Sequence, residues 1–200
     1  MISNMLLRQH ALLVSSRCFW QLRQIRSVRR SLDVESIATL VHAFVSNRVD
    51  YCCSLLAGSP KVVTDRFQRV LNAVARVVTN TRKYDRGLHY TMRHDLHWLD
   101  MTDRVQFRIA TTVYRCLHGM APEYLSELCF QVKLRSSRYQ LRSSQSNQLI
   151  VPPVKLSAYG PRSFAVAGPT ILNNLPEYLR DPELSIDNFR RQLKTFLFAQ

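Results

Sequence analysis

The segment from Val63 to Val78 constrains the fold of this chain more than any other. Apolar residues recur in it at intervals of three and four, which places them on one face of an α-helix. Arginines lie between them, so the helix has one face to bury and one to expose. Such a helix must pack against other elements, and it therefore predicts a core. The apolar residues are Val63, Phe67, Val70, Leu71, Val74 and Val78.

Similar amphipathic patterns predict helices over the first two thirds of the chain and at its end. One helix is expected to continue from Cys18, and Asp33 is placed to cap the next. A fourth clear helix runs from about residue 100 to about His118, where Gly119 stops it. Ser185 is placed to cap a final helix.

A short β element interrupts this pattern. Residues 149–151 form an apolar run that predicts a strand, and residues 164–166 are its candidate partner. The predicted fold is therefore mainly α, a helical bundle with a short β-hairpin-like element and a C-terminal helix. We divide it into an N-terminal extension (1–16), a helical region (17–130), a basic Ser/Arg loop (131–147) and a small C-terminal α+β segment (148–200).

The charge is strongly positive and unevenly placed. The chain has 28 Lys and Arg against 14 Asp and Glu, a formal net charge of +14. Residues 1–32 and 128–176 contain basic but no acidic side chains. Such a field attracts polyanions such as nucleic acids.

Arginines recur at helical spacing on three predicted helices and in the basic loop. The planar guanidinium binds phosphate with two hydrogen bonds and stays charged, but phosphate contacts read no base sequence. These residues are therefore candidate nucleic-acid-binding residues, although an arginine stripe is equally compatible with a solvated helix face. The candidates are Arg23, Arg26, Arg30, Arg66, Arg69, Arg76, Arg104, Arg108, Arg115, Arg138 and Arg142.

No pattern predicts catalysis. The sequence has no nucleophile elbow, no phosphate-binding glycine loop and no zinc-protease motif. His89, His94 and His97 come nearest to a metal site, but no cysteine or acid completes a second ligand pair. We therefore expect no catalytic residues, no metal, no cofactor and no enzymatic activity.

Cysteine use and hydropathy bear on the compartment. Five cysteines without a C-x-x-C motif are typical of free thiols in a reducing compartment, either nucleus or cytoplasm. No run approaches the ~18 apolar residues of a membrane span, so no membrane partner is expected. The arginine-rich N-terminus superficially fits a mitochondrial presequence, but an ordinary basic helix is the favoured interpretation.

A series of short sequence segments, in the same order as in the family, resembles one protein family over about residues 17–198. The family is that of LINE-type, non-LTR reverse transcriptases of the jockey-like group, in the region after the palm. Leu172, Asp100 and Cys53 depart from its usual residues. The segments are LVHAFV (40–45), RVDYC (48–52), SLLAGSP (54–60), FQRVLNA (67–73), ARVV (75–78), LHWL (96–99), YRCLHG (114–119), APEYL (121–125), AGP (167–169), NNLP (173–176) and LKTFLF (193–198).

The resemblance implies a noncatalytic remnant of a polymerase. The aspartate motif of the family's palm and its endonuclease are not found in this sequence. The chain resembles the family's thumb-like helical region, at residues 17–130, followed by its C-terminal domain. In that family the region would grip element RNA or an RNA–DNA duplex, a role that the arginine stripes would suit.

Two other interpretations remain open. The chain could be a protein–protein interaction module, binding a partner or a second copy through apolar surface that the palm would otherwise cover. It could also be a nonfunctional relic without a nucleic-acid role.

Overall fold

The computed structural model describes residues 2–129, 147–154 and 160–199, and it is mainly helical, as predicted. Two π-helical turns, His42–Ser46 and Thr91–Asp95, follow α2 and α5. Short 3₁₀ helices occur at Arg29–Ser31, Cys53–Leu56, Gly160–Arg162 and Glu177–Arg180. The α-helices are α1 (Ile2–Val28), α2 (Val34–Val41), α3 (Asn47–Asp50), α4 (Lys61–Thr79), α5 (Leu88–Tyr90), α6 (Met101–Leu117), α7 (Glu123–Ser126), α8 (Phe164–Asn173) and α9 (Ile186–Phe198).

The chain divides into two compact units, residues 1–104 and 105–200, so the boundary falls within α6. The predicted boundaries differ from these units. Helix α1 continues through residue 16, where we placed the end of an extension, because Ala11 and Ser15 are buried in line with Cys18.

The core of the first unit forms around α4. All six apolar residues predicted for its buried face are buried. Burial of each large aliphatic or aromatic side chain contributes about 1.5–3 kcal/mol. Helix α1 packs along α4, and Cys18, Leu22 and Ile25 on α1 are buried. The Asp33 carboxylate accepts a 3.1 Å hydrogen bond from the Ser36 amide, which confirms the predicted cap of α2.

The second unit packs α9 against the part of α6 that follows residue 104. The rings of Tyr114 and Phe189 stack with their centroids 4.5 Å apart. The Tyr114 hydroxyl donates a hydrogen bond to the Leu184 carbonyl, just before α9. The Ser185 hydroxyl accepts a 3.4 Å hydrogen bond from the Asn188 amide, so the predicted cap of α9 is confirmed.

The predicted hairpin is wrong, because residues 164–166 form the first turn of α8. The backbone of Leu149 pairs instead with the Asn173 side chain: its amide donates to Oδ1 and its carbonyl accepts from Nδ2, both at 2.9 Å. Leu149 lies in a single β-bridge, and this carboxamide bonds both of its backbone polar groups. A short apolar run does not distinguish a strand from a buried helical turn.

Candidate nucleic-acid interface

A groove of about 560 Å³ lies between α1 and α4 in the first unit. Five of its side chains are cationic, and four of these are arginines that the spacing selected. The cationic rim consists of Arg23, Arg26, Arg69, Arg76 and Lys83. Between these charges the groove is lined by Phe19, Leu22, Asn72, Ala73 and Val77. We call this feature the α1/α4 groove.

Helical periodicity explains why these residues meet. On α1 the groove is lined at positions 19, 22, 23 and 26, and on α4 at 69, 72, 73, 76 and 77. Both sets follow the three- and four-residue spacing of a single helix face. Leu22 and Val77 are buried where the helices meet, whereas Arg23, Arg26 and Arg69 are exposed. Close packing of the helices therefore brings two arginine stripes together.

The rim is electrostatically uncompensated. Within the part of the chain that the structure describes, none of its five cations forms an ion pair. Nε of Arg76 is buried and has no hydrogen-bond partner among the described residues. Leaving such a donor unpaired costs about 1–3 kcal/mol. The exposed guanidinium groups of Arg23, Arg26 and Arg69 are the ones that an anionic ligand can reach.

Arg29 connects α1 to α4 at one end of the groove. Its Nε donates to the Val77 carbonyl at 2.8 Å, and its Nη2 donates to the Val78 carbonyl at 3.2 Å. These carbonyls lie in the last turn of α4, where a cation also interacts favourably with the helix dipole. Arg29 thus clamps the end of α1 to the end of α4.

Arg104 has a different role from the one its spacing suggested. Its Nη1 donates to the Asp50 carboxylate and its Nε to the Leu99 carbonyl, both at 2.9 Å. Its side chain is only 14% exposed. The guanidinium is occupied inside the first unit, so Arg104 is a structural residue and does not serve a phosphate site.

The other predicted residues that the structure describes do not line the groove. Arg30 is exposed in the 3₁₀ turn after α1, and Arg66 is half-buried on α4. Arg108 and Arg115 are exposed on α6, and Arg115 donates to the Met120 carbonyl at 3.1 Å. The predicted Arg138 and Arg142, with most of the basic loop, lie outside the described residues.

A second cavity, of about 380 Å³, contains a polar network around Asp100. Nε2 of His89 lies 3.0 Å from the Asp100 carboxylate, which also accepts from Gln68 at 3.1 Å. Nearby, burial raises the pKa of Asp103, and this outweighs the lowering effect of Arg93, whose Nη2 lies 3.0 Å away.

The three candidate histidines do not converge. His89 contacts Asp100, whereas the His94 ring stacks on Tyr90 with centroids 4.1 Å apart. Among the described residues, no three His, Cys, Asp or Glu side chains are grouped so as to hold a metal ion.

Lys83, Phe19 and Asn72 line the groove but are not among the predicted residues. Arg29, which bonds the end of α4 beside the groove, is not among them either. Phe19 and Arg26 are seven residues apart, as are Arg69 and Arg76, so each pair repeats after two helical turns. That spacing could have indicated both stripes, but not that they face each other.

A comparison of the chain with protein-family models, curated proteins and solved structures finds no match. The resemblance to non-LTR reverse transcriptases therefore stays a prediction. In the described part of the chain, every helix is too short or too polar to cross a lipid bilayer.

Proposed function

We propose that this chain is a noncatalytic nucleic-acid-binding protein that grips RNA or an RNA–DNA duplex by its phosphates, without reading sequence. The observation that carries the proposal is the α1/α4 groove, where five cations converge without ion-pair partners among the described residues. Its origin as the region after the palm of a non-LTR reverse transcriptase is part of the same proposal.

The composition of the rim favours phosphate over other anions. Four of the five cations are arginines, whose fork-shaped donors match two phosphate oxygens at once. Several such groups on two neighbouring helices suit a repeating polyanion better than a single small anion. Nonspecific binding of this kind has a Kd of about 10⁻⁶ to 10⁻⁴ M at physiological salt.

The test is fluorescence anisotropy with labelled single-stranded RNA and with an RNA–DNA hybrid across a salt series. The variant carries Arg23→Gln, Arg26→Gln and Arg69→Gln, all on exposed residues of the rim. Log Kd should change linearly with log salt, and the triple variant should lose about 2–3 from that slope, since each phosphate contact contributes about 0.7–0.9.

A matched control removes the same charge elsewhere. Arg8, Arg86 and Arg190 are exposed and do not line the groove, so their replacement by Gln tests net charge alone. Equal loss of slope in both triple variants would refute the groove as the interface. A folded protein with no binding at low salt would refute nucleic-acid binding itself.

Catalysis is expected to be absent. With Mg²⁺, primer and template, the pure chain should extend no primer, because no pair of palm aspartates is found in its sequence. Template-dependent synthesis would overturn this part of the proposal.

One observation favours the second candidate, a protein-interaction module. Helix α1 exposes several large apolar side chains, among them Leu12, Leu13 and Trp20. A cluster of exposed apolar residues is typical of a protein contact surface. Concentration-dependent association in analytical ultracentrifugation, without RNA binding, would support that candidate instead.

A further inference from the structure

The α1/α4 groove has an apolar floor beneath its cationic rim. Leu22 and Val77 are almost fully buried there, whereas Phe19 remains 44% exposed beside them. The packing of α1 on α4 accounts for the burial of Leu22 and Val77, but it leaves the aromatic ring of Phe19 largely uncovered. The groove therefore offers a ligand an aromatic surface as well as charge.

One neutral polar residue lies between this groove and the second cavity. Asn72 lines both, and its Oδ1 accepts a 3.0 Å hydrogen bond from Gln68 on the side of the second cavity. Its amide nitrogen donates to no described residue. A few polar groups on an apolar wall are typical of sites that orient a ligand. This amide would suit a carbonyl oxygen on the edge of a base.

We propose that the α1/α4 groove holds an unpaired base, so that the chain prefers single-stranded RNA to a duplex. This inference rests on the proposed function and specifies the form of its ligand. The base would lie on the floor against Phe19, while the rim cations contact the phosphates on either side. Stacking on an aromatic ring is tolerant of sequence, because every base has a π-face.

Shape disfavours a duplex in this groove. The bases of a duplex are paired and stacked inside a convex cylinder, so only backbone would face the floor. A single strand can turn one base inward at small cost. A volume of about 560 Å³ lies in the range of pockets that enclose one small organic group.

The experiment compares three labelled probes at one salt concentration: oligouridylate of about 12 nucleotides, an abasic strand of equal length and an RNA–DNA hybrid of equal length. The two single strands carry the same phosphates, so their difference measures the bases alone. We expect oligouridylate to bind about tenfold more tightly than the abasic strand, and more tightly than the hybrid.

Two neighbouring aromatic residues provide matched variants. Phe19→Ala should reduce the preference for oligouridylate over the abasic strand to near unity without changing the salt slope. Trp20→Ala should keep that preference, because Trp20 is 58% exposed on the same helix but does not line the groove. Phe19→Leu preserves apolar packing and should still lose most of the preference, which separates stacking from folding.

Each contrary outcome has one meaning. Equal affinity for oligouridylate and the abasic strand, with the salt slope kept, would overturn the base site and leave phosphate binding intact. The base site would also be overturned if polyglutamate of equal charge displaced oligouridylate as effectively as unlabelled oligouridylate does. The groove would then accept any polyanion. Absence of salt-dependent binding to every probe would refute the proposed function as well.

Discussion

Arg104 and Asp50 form a 2.9 Å ion pair between the start of α6 and the end of α3. Both side chains are largely shielded from solvent. We expect Arg104→Gln to lower the free energy of unfolding by about 2 kcal/mol, because it leaves the Asp50 carboxylate unpaired. Urea denaturation measures this.

The same variant separates structure from binding. Arg104→Gln should leave the salt slope of RNA binding unchanged, because its guanidinium is already occupied. Arg108→Gln is the control for stability: Arg108 is exposed on the same helix, and its loss should cost less than about 0.5 kcal/mol. If Arg104→Gln flattened the salt slope as groove variants do, the structural role would be wrong.

Arg29 offers a second prediction. Arg29→Met removes both hydrogen bonds to the last turn of α4 and should destabilise the protein by about 1–2 kcal/mol. RNA affinity should fall too, because α1 and α4 would no longer be clamped together. Arg30→Met removes the same charge from the exposed neighbour and should change stability little. Equal effects of both changes would contradict the clamp.

The thiols should react at very different rates. Burial, assisted by the nearby Cys116, raises the pKa of Cys129 to about 12, and burial also raises the pKa of Cys18 and of Cys116. Cys52 is exposed. Because the thiolate is the reactive form, a disulfide reagent should modify Cys52 first and the buried thiols only after unfolding. Cys52→Ser should abolish the fast phase; a fast phase at Cys129 would contradict this burial.

The cap of α2 gives a pH dependence of known sign. Hydrogen bonds from Ser36 lower the pKa of Asp33 below its ordinary 3.8. The cap therefore stabilises the fold fully above about pH 3.8, and this contribution disappears as pH falls through the lower folded value. The stability difference between wild type and Asp33→Ala in urea should shrink between neutral pH and about pH 2.5. A difference that did not change with pH would contradict the assignment.

Local patterns predicted the helices well and their pairing poorly. The buried face of α4 and the caps at Asp33 and Ser185 depend on neighbours within one or two turns, which the sequence displays. The hairpin failed because residues 164–166 suit either a strand or a buried helical turn.

For the candidate site too, local spacing was predictable and long-range contacts were not. Spacing selected Arg23, Arg26, Arg69 and Arg76, yet only packing of α1 on α4 brings them together. For Arg104, spacing alone did not show that its partner lies 54 residues away, at Asp50. Long-range contacts of this kind decide whether an arginine is available, and periodicity carries no information about them.

The Leu149–Asn173 pairing makes part of the second unit dependent on the chemical survival of one carboxamide. The amide accepts from one backbone group and donates to the other, whereas a carboxylate can only accept. Deamidation of Asn173 would leave a carboxylate facing the Leu149 carbonyl, which would repel it. Residues 147–154 would then lose these two hydrogen bonds to α8. The loss would come from slow chemical change of one side chain and would not require the protein to unfold.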